Sequence, residues 1–591
     1  MAKRWHIRAH DPQRIASLKH AAGVSDVVAQ LLICRGITDP QRAISFLAPK
    51  LSDLYEPDLL PGCSCAADRI HAAIAAKRKI VIFGDYDVDG MSGTAVLYLC
   101  LKLLGAEVTY YVPHRVDEGY GLNAEAVRSW GNGRASMMIT VDCGIACVAE
   151  AEIAREVGLE LIITDHHEIG TQLPAAAAIV HPQLPHPKSP GTTYPFHGLS
   201  GSGVAFKLAW ALCQRASGSQ KVSPKLRDFL VQAVGLAALG TIADVVPLVD
   251  ENRVLVHHGL ESLARYPTLG VATLMKVAKV EPRQTADGKL KLECEDIGFS
   301  LAPRLNAAGR LAQAQLGVEL LITDRPDRAL ELAQYIDQLN VTRQTLERST
   351  QLAAKKQIDE LFDPSQDAAL VLAHRGWHPG VIGIVAGRLA EKHHRPVVMI
   401  AWDQLGTRPG VGSARSIAGF NLHAALDACG EHLLSHGGHA AAAGLKIEES
   451  KLEDFRTAFC ALAADAISQQ QRTAELWIDA EFPLSAFTPK TVYQIERLAP
   501  FGQQNSRPLI CTAGAALAGP PKPMGSGGRH LSLRLSQHGT SFRAVAFGGA
   551  DWAEELSAVN QPIDVAFRPV INTYQGRNNV ELHLVDWRIA Q

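Results

Sequence analysis

Between residues 66 and 182, short and largely apolar runs alternate with stretches of helical period, and several of these runs are followed by acids or histidines. The runs at 80–83, 108–112, 137–141, 160–164 and 178–180 are strand-length and have no polar face, the mark of strands buried on both sides of a parallel sheet. Segments 92–104 and 147–157 between them read as helices. Strand and helix taking turns in this way build a sheet covered by helices on both faces, so the fold class is α/β. Sheets of this class keep their chemistry outside the carboxyl ends of the strands.

Those ends are where the reactive side chains gather. Asp85, Asp87 and Asp89 follow run 80–83, Asp142 follows 137–141, and Asp165, His166 and His167 follow 160–164. Parallel strands point their carboxyl ends the same way, so these groups are expected on one rim. Asp244, after the apolar stretch 229–243, is a further buried-looking acid. Three carboxylates at alternate positions repel one another unless a cation sits among them. A set of mostly carboxylates with one or two imidazoles suits Mn²⁺ or Mg²⁺. The set exceeds the needs of one ion once water is counted, which points to two divalent cations and to hydrolysis of a phosphoester or phosphoanhydride.

At 591 residues the chain is too long for one core. The expected division is a helical lead-in over 1–45, a first α/β domain over 46–325, a connecting helix over 326–365, a second α/β domain over 366–468 and a β-domain over 469–591. The second α/β domain reads as strand 369–373, helix 381–392 and strand 396–401, interrupted by glycine-rich loops at 410–416 and 437–444. Beyond about 470 the period changes to two, with strands at 530–535, 541–547, 563–567 and 580–585 and a turn at 574–579. Short strands with turns over this length fit a five-stranded oligonucleotide-binding barrel.

A net charge of −2 gives no global preference for or against a nucleic acid, so any such groove must come from local Arg and Lys clusters. The first residues lack a secretory apolar core, and stretch 229–243 carries Gln232 and is too short to span a bilayer. A cytoplasmic protein with a core helix there is expected. The 11 cysteines show no zinc-ligand spacing and read as reduced thiols.

Asp85, Asp87 and Asp89, then Asp142, then Asp165-His166-His167, then Asp244 resemble the successive motifs of the DHH phosphoesterase superfamily, and the Gly437-Gly438-His439 segment resembles its companion DHHA1 domain. Length, domain order and terminal barrel are similar to the superfamily's single-strand-specific 5′→3′ DNA exonucleases. The resemblance implies Asp87 and Asp142 on one ion with Asp85 beside it. It implies Asp89, Asp142, His166 and Asp244 on a second, with Asp142 bridging. His167 would face the scissile phosphate or orient its neighbours, and Asp165 would support the ligands. Arg304, Asn306 and Arg310, beside a tight glycine turn, suit phosphate or close a domain interface. Ser413 and Arg415 would read a terminal 5′-phosphate with help from Arg115. Gly437, Gly438 and His439 would touch a substrate phosphate or form a structural turn. On the barrel, Lys522, Arg529, His530 and Tyr574 are candidate contacts to single-stranded DNA. Phe83 stands where related pyrophosphatases carry a histidine, which disfavours pyrophosphate as substrate. The implied activity is release of 5′-mononucleotides from single-stranded DNA threaded between two lobes. The implied setting is recombination and repair, by a monomer working beside a RecQ-type helicase and a single-strand-binding protein. The rival within the superfamily is a phosphodiesterase of short oligoribonucleotides or cyclic dinucleotides, which usually lacks the barrel.

Overall fold

The computed structural model describes residues 3–114, 118, 121–186, 193–285, 288–363, 366–467, 475–574 and 577–590, without the side chains of 526, 573, 574 and 577. The chain forms two compact units. The larger holds residues 5–302, 318–330 and 477–591, and the smaller holds 303–317 and 331–476 together with the first four residues.

Five parallel strands make the first sheet of the larger unit: β1 (Lys79–Gly84), β2 (Glu107–Tyr111), β3 (Met137–Val141), β4 (Glu160–Thr164) and β5 (Ala178–Val180). Their spatial order is 2-1-3-4-5, so the winding reverses between β1 and β3. That reversal opens a crevice at the carboxyl ends of those two strands. Ile80, Val81, Ile82 and Phe83 are buried, as is all of β3. Each such side chain contributes roughly 1.5–3 kcal/mol by leaving water. The helices that follow are α1 (Val88–Leu103), α2 (Gly201–Ser217), α3 (Pro224–Ala243) and α4 (Asp250–Arg265).

α1 begins four residues before the expected start at 92. Asp87 caps it, its Oδ1 accepting the backbone N–H groups of Asp89 at 2.9 Å and Gly90 at 3.0 Å. Asp89 is therefore a first-turn helical residue rather than part of a loop. α3 is also longer than its apolar stretch. At 20 residues it is long and apolar enough to cross a membrane, but it is packed against α1, α2 and α4 with its central residues buried.

The smaller unit contains α5 (Ala302–Arg310) apart from its first residue and most of the long helix α6 (Pro326–Leu361). Its sheet comprises β6 (Leu370–His374), β7 (Val397–Ala401), β8 (Gly410–Arg415), β9 (Ser435–Gly438) and β10 (Ala442–Ile447), in the order 9-10-8-7-6. Helix α7 (Pro379–His393) connects β6 to its parallel neighbour β7. Two expectations fail here. The glycine-rich segments 410–416 and 437–444 are largely antiparallel strands, not loops. Their glycines answer a packing demand, since a β-carbon on Gly412 would meet Leu445 at 2.6 Å. Arg304 to Arg310 lies on α5, with Gly309 inside the helix, and makes no tight glycine turn.

The barrel uses β11 (Ile510–Leu517), β12 (Lys522–Met524), β13 (His530–Gln537), β14 (Thr540–Ala546), β15 (Ile563–Tyr574) and β16 (Arg577–Ile589). Strands 11-15-16-14-13 pair in turn, and pairing of β11 with β13 closes a five-stranded ring. Its core is shared. Ile15, Leu18, Val28, Leu31 and Leu32 of the lead-in helices pack in one cluster with Phe487, Leu533, Val565 and Phe567. Arg253 of α4 ties this body to the parallel sheet's helices. Its guanidinium donates to the carbonyls of Phe46 at 2.8 Å, Leu498 at 2.8 Å and Ala499 at 2.9 Å. All 11 cysteines are free thiols, and only Cys65 is exposed.

Candidate metal centre and phosphate-binding residues

The crevice between β1 and β3 collects the acids. Asp85 follows β1 directly and is tied to the end of β3 by its N–H, which donates to the Val141 carbonyl at 3.1 Å. Asp142, the first residue after β3, adopts a φ of 64°. That left-handed backbone, tolerated by Asp better than by most residues, turns its carboxylate into the crevice. Asp85, Asp89 and Asp142 are all buried.

Asp89 is held from a distant part of the chain. Helix α2 begins at Gly201, and its first two N–H groups grip the carboxylate: Gly201 donates to Oδ2 at 2.6 Å and Ser202 to Oδ1 at 3.0 Å. The helix dipole favours the anion at this end. Ser200 caps the same helix. Gly201 and Gly240 leave room, since a β-carbon on either would overlap a carboxylate, that of Asp142 or of Asp89. The sequence reading passed over Gly201, Ser202 and Gly240. The Ser-Gly-Ser-Gly string at 200–203, a capping residue before a helical run, was the available signal.

After β4, Asp165 works as a bracket. Its Oδ2 accepts the N–H of Ile145 at 2.9 Å, and its Oδ1 accepts the N–H of His166 at 2.7 Å and Nδ1–H of His167 at 2.7 Å. Burial pushes this carboxyl up, but the hydrogen bond and charge of His167 with the backbone donors outweigh it and hold it at about 2. Burial pushes His167 down, and Asp165, Asp244 and Asp85 overcome that and lift it to about 9. The His167 carbonyl in turn accepts Nε2–H of buried His181 at 2.8 Å, a contact with no sequence signature.

His166 points its Nε2 at three acids: Asp142 Oδ1 at 3.1 Å, Asp244 Oδ2 at 3.6 Å and Asp89 Oδ2 at 3.9 Å. Burial holds this imidazole below its usual range and so neutral, with a lone pair free for a cation. Asp244, the residue that closes α3, is pushed up to about 9 by burial and by the charges of Asp89 and Asp87. Burial, then the charges of Asp89, Asp87, Asp85 and Asp244, raises Asp142, and burial with the charge of Asp89 raises Asp87. His166 Nε2 and Asp244 Oδ2 are buried and make no hydrogen bond with the described residues. Such atoms, in a pocket of mutually repelling acids, fit a divalent cation. Three overlapping groups come within ligand range: Asp85, Asp87 and Asp142; Asp89, His166 and Asp244; and Asp142, His166 and His167.

The phosphate candidates divide. In the smaller unit, Arg310 donates from Nη1 to the Gly380 carbonyl at 3.2 Å, at the start of α7. A β-carbon on Gly383, one turn on, would meet Ser413 Oγ at 2.8 Å and Arg415 Nη2 at 2.9 Å. Arg415 also donates to Ser413 Oγ at 3.0 Å. Arg310, Ser413 and Arg415 thus meet around the amino end of one helix. Arg304 is committed elsewhere, its Nε 2.8 Å from Asp337 Oδ1 on α6, and Asn306 is half-buried on α5. Gly437, Gly438 and His439 lie at the exposed edge strand, Gly438 with a φ of 136°. On the barrel, Lys522 and Arg529 are exposed and His530 is half-buried, accepting the Gly548 N–H at 3.0 Å on Nδ1. Arg115 and the Tyr574 side chain lie outside the described residues.

Comparison with known proteins agrees with this geometry. Residues 79–240 match the DHH family N-terminal domain, 366–465 the DHHA1 domain and 478–586 the RecJ OB domain. The chain is 37% identical to the single-stranded-DNA-specific exonuclease RecJ of Bacillus subtilis, over 100% of this chain and 71% of that protein. It is 32% identical to the Escherichia coli enzyme of the same name, over 98% and 99% of the two chains. RecJ of Thermus thermophilus in complex with Mn²⁺ superposes with a TM-score of 0.81 at 30% identity, covering 100% of this chain and 80% of that one. The same protein in complex with Mg²⁺ gives a TM-score of 0.76 at 29% identity, covering 100% and 79%. Three domain matches in the same order, and relatives at this identity along nearly the full length, establish that the chain belongs to the RecJ family.

Proposed function

We propose that this chain is a metal-dependent exonuclease that degrades single-stranded DNA from the 5′ end, releasing 5′-mononucleotides. The observation that carries the reading is the membership of Asp142 in two of the three ligand groups, one with Asp85 and Asp87 and one with His166 and His167. A carboxylate so placed could serve two divalent cations, which would be held by Asp85, Asp87 and Asp142 and by Asp89, Asp142, His166 and Asp244. When bound there, Mn²⁺ or Mg²⁺ supplies activation of water and neutralisation of phosphoryl charge. The protein's own residues do the rest. Asp165 fixes the His167 ring and keeps it protonated, so that Nε2–H is a donor for the leaving oxygen of the scissile phosphodiester. Neutral His166 offers a lone pair, and the amino end of α2 holds the Asp89 carboxylate in place through the Gly201 and Ser202 N–H groups.

Arg310, Ser413 and Arg415 form the terminal-phosphate reader of this proposal, because two guanidinium groups and a hydroxyl at a helix start suit a dianion. Arg304 has a lesser part, its charge being shared with Asp337. Gly437, Gly438 and His439 offer an exposed backbone edge to a further phosphate. Lys522, Arg529 and His530 extend the contact to unpaired strand on the barrel. The barrel also favours this reading over the phosphodiesterase of short oligoribonucleotides. Work in recombination and repair beside a helicase and a single-strand-binding protein, as a cytoplasmic monomer, belongs to the same proposal.

The deciding experiment digests 5′-labelled and 3′-labelled single strands and a blunt duplex, with and without Mn²⁺. Immediate loss of the 5′ label as mononucleotide, with duplex intact, is expected. Release of the 3′ label first, or equal attack on duplex, overturns the reading.

A further inference from the structure

The outer face of strands β13, β14 and β16 carries an exposed aromatic ring that the fold holds still. Along β14, Ala544 and Ala546 face the barrel core and Arg543 the other side, while Phe547 follows in the turn just past the strand's end. Phe547 is 60% exposed, an unusual place for a large apolar ring. It is nonetheless pinned from two sides. The His530 ring lies 5.4 Å away at 72°, and the His583 ring 5.0 Å away at 87°, both edge-to-face. The Gly548 N–H donated to His530 Nδ1 fixes one of these rings, and Glu581, 3.2 Å from His583 Nε2, fixes the other. A ring with its tilt set in advance loses little freedom when a flat partner stacks on it.

Cations continue the same face. Arg534 lies directly across from Arg543 in the β13–β14 register, and Lys522 across from Ser532. Arg534 donates to Ser541 Oγ at 3.4 Å, while Arg543 is shared with Glu581 at 2.9 Å. Phe547 is the first residue past the end of β14, four residues beyond Arg543. An aromatic ring at one end and guanidinium and ammonium groups at the other match the alternation of base and phosphate in an unpaired strand.

We propose that Phe547 is a stacking platform for a nucleobase of single-stranded DNA on the outer face of the barrel, with Lys522 and Arg534 holding the adjoining phosphates. This deepens the nuclease reading and rests on it for the identity of the strand. The platform takes any base, because every base presents a π-face.

The test uses the full chain carrying D142N, expected to bind without cutting, and two 30-nucleotide probes: oligo(dT) and an abasic strand of equal length. F547A is expected to weaken oligo(dT) binding by roughly 5- to 150-fold, the range of one stacked base, and abasic-strand binding by less than twofold. F547W is expected to restore oligo(dT) affinity and to add fluorescence that the strand quenches. In the cleaving protein F547A is expected to raise KM for the 30-mer with little change in kcat. Equal affinity of F547A and its parent for oligo(dT), or an equal loss on the abasic strand, overturns the platform. So does failure of F547W to restore binding when it melts at the parent temperature. The binding assay requires no catalysis, so a wild-type chain inert toward DNA with Mn²⁺ counts against the nuclease reading alone.

Discussion

Gly240 of α3 faces Asp89 so closely that a β-carbon added to it would overlap Oδ1 of that carboxylate. It would overlap Ser202 Oγ as well, so α3 and α2 close on Asp89 from two sides. In a packed interior such overlap costs about 1–3 kcal/mol. G240A is accordingly expected to fold with reduced stability and to push Asp89 away from His166. A displacement near 1 Å in such a site lowers the rate on the order of 100-fold. Melting temperature and Mn²⁺-dependent digestion of oligo(dT) check this, and wild-type rates in G240A would show that Asp89 tolerates displacement.

Asp142 stores electrostatic tension. Burial first, then the charges of Asp89, Asp87, Asp85 and Asp244, raises its pKa. D142N removes one charge, and Asn tolerates the 64° φ about as well as Asp does. In chelator, D142N is expected to melt above wild type. On addition of Mn²⁺ at 100 times its dissociation constant, wild type gains about 2.7 kcal/mol of stability, and D142N gains far less. Calorimetric melts of both proteins, with and without Mn²⁺, decide it. An equal Mn²⁺ response would remove Asp142 from the ligand set.

His257 sets an acid limit on stability. Burial first, then the charge of Lys291, holds its pKa at about 2 against an unfolded value of 6.5. The unfolded chain therefore takes up a proton below 6.5 that the folded chain refuses. The stability His257 contributes is fully present above 6.5 and falls as pH drops through the window from 6.5 toward 2, by up to about 1.4 kcal/mol per pH unit. H257Q keeps an acceptor for Lys291 Nζ, 3.2 Å away, without the titration. Urea unfolding at pH 7 and pH 5 is expected to show a loss about 2 kcal/mol smaller in H257Q than in wild type. Identical pH slopes would refute the assignment.

Arg253 is buried and its hydrogen bonds run to carbonyls, not to a carboxylate. Burial, then the charge of Arg35, pushes its pKa down to about 9. The planar fork satisfies carbonyls of 46, 498 and 499 together, which an ammonium cannot match. R253M leaves them buried without donors, at about 1–3 kcal/mol each. R253K is expected to recover only part of this loss. Denaturant unfolding, with proteolysis mapped to residues 497–500, measures the effect. A stable and protease-resistant R253M would show that the carbonyls find other donors.

The parts of this fold readable from sequence are those dictated by local pattern. Strands Met137–Val141 and Glu160–Thr164 fall where their apolar runs begin and end, because a strand buried on both faces leaves no ambiguity of period. The long helix, read as starting at 326, does start there, where Pro326 sets the first turn. Reading fails where tertiary contacts override local preference. Asp87 looked like a loop acid and is a helix cap. Glycines 410 and 412 looked like loop residues and are strand positions made small by Trp402 and Leu445. Gly309 looked like a turn and lies within α5. In the site, the acids announce themselves by type and spacing. The N–H groups that hold Asp89 come from Gly201 and Ser202, more than a hundred residues away, and backbone donors carry no side-chain signature.

Because Ile15 to Leu47 and Ala480 to Leu584 complete one another's apolar interior, the earliest helices leave the ribosome roughly 430 residues ahead of the surface that covers them, a wait of about 20–90 s at typical elongation rates. Through that interval their greasy sides stand bare to water, and holdase chaperones are the natural shelter. Premature termination anywhere before the barrel therefore yields a sticky polypeptide, however well its catalytic half has folded.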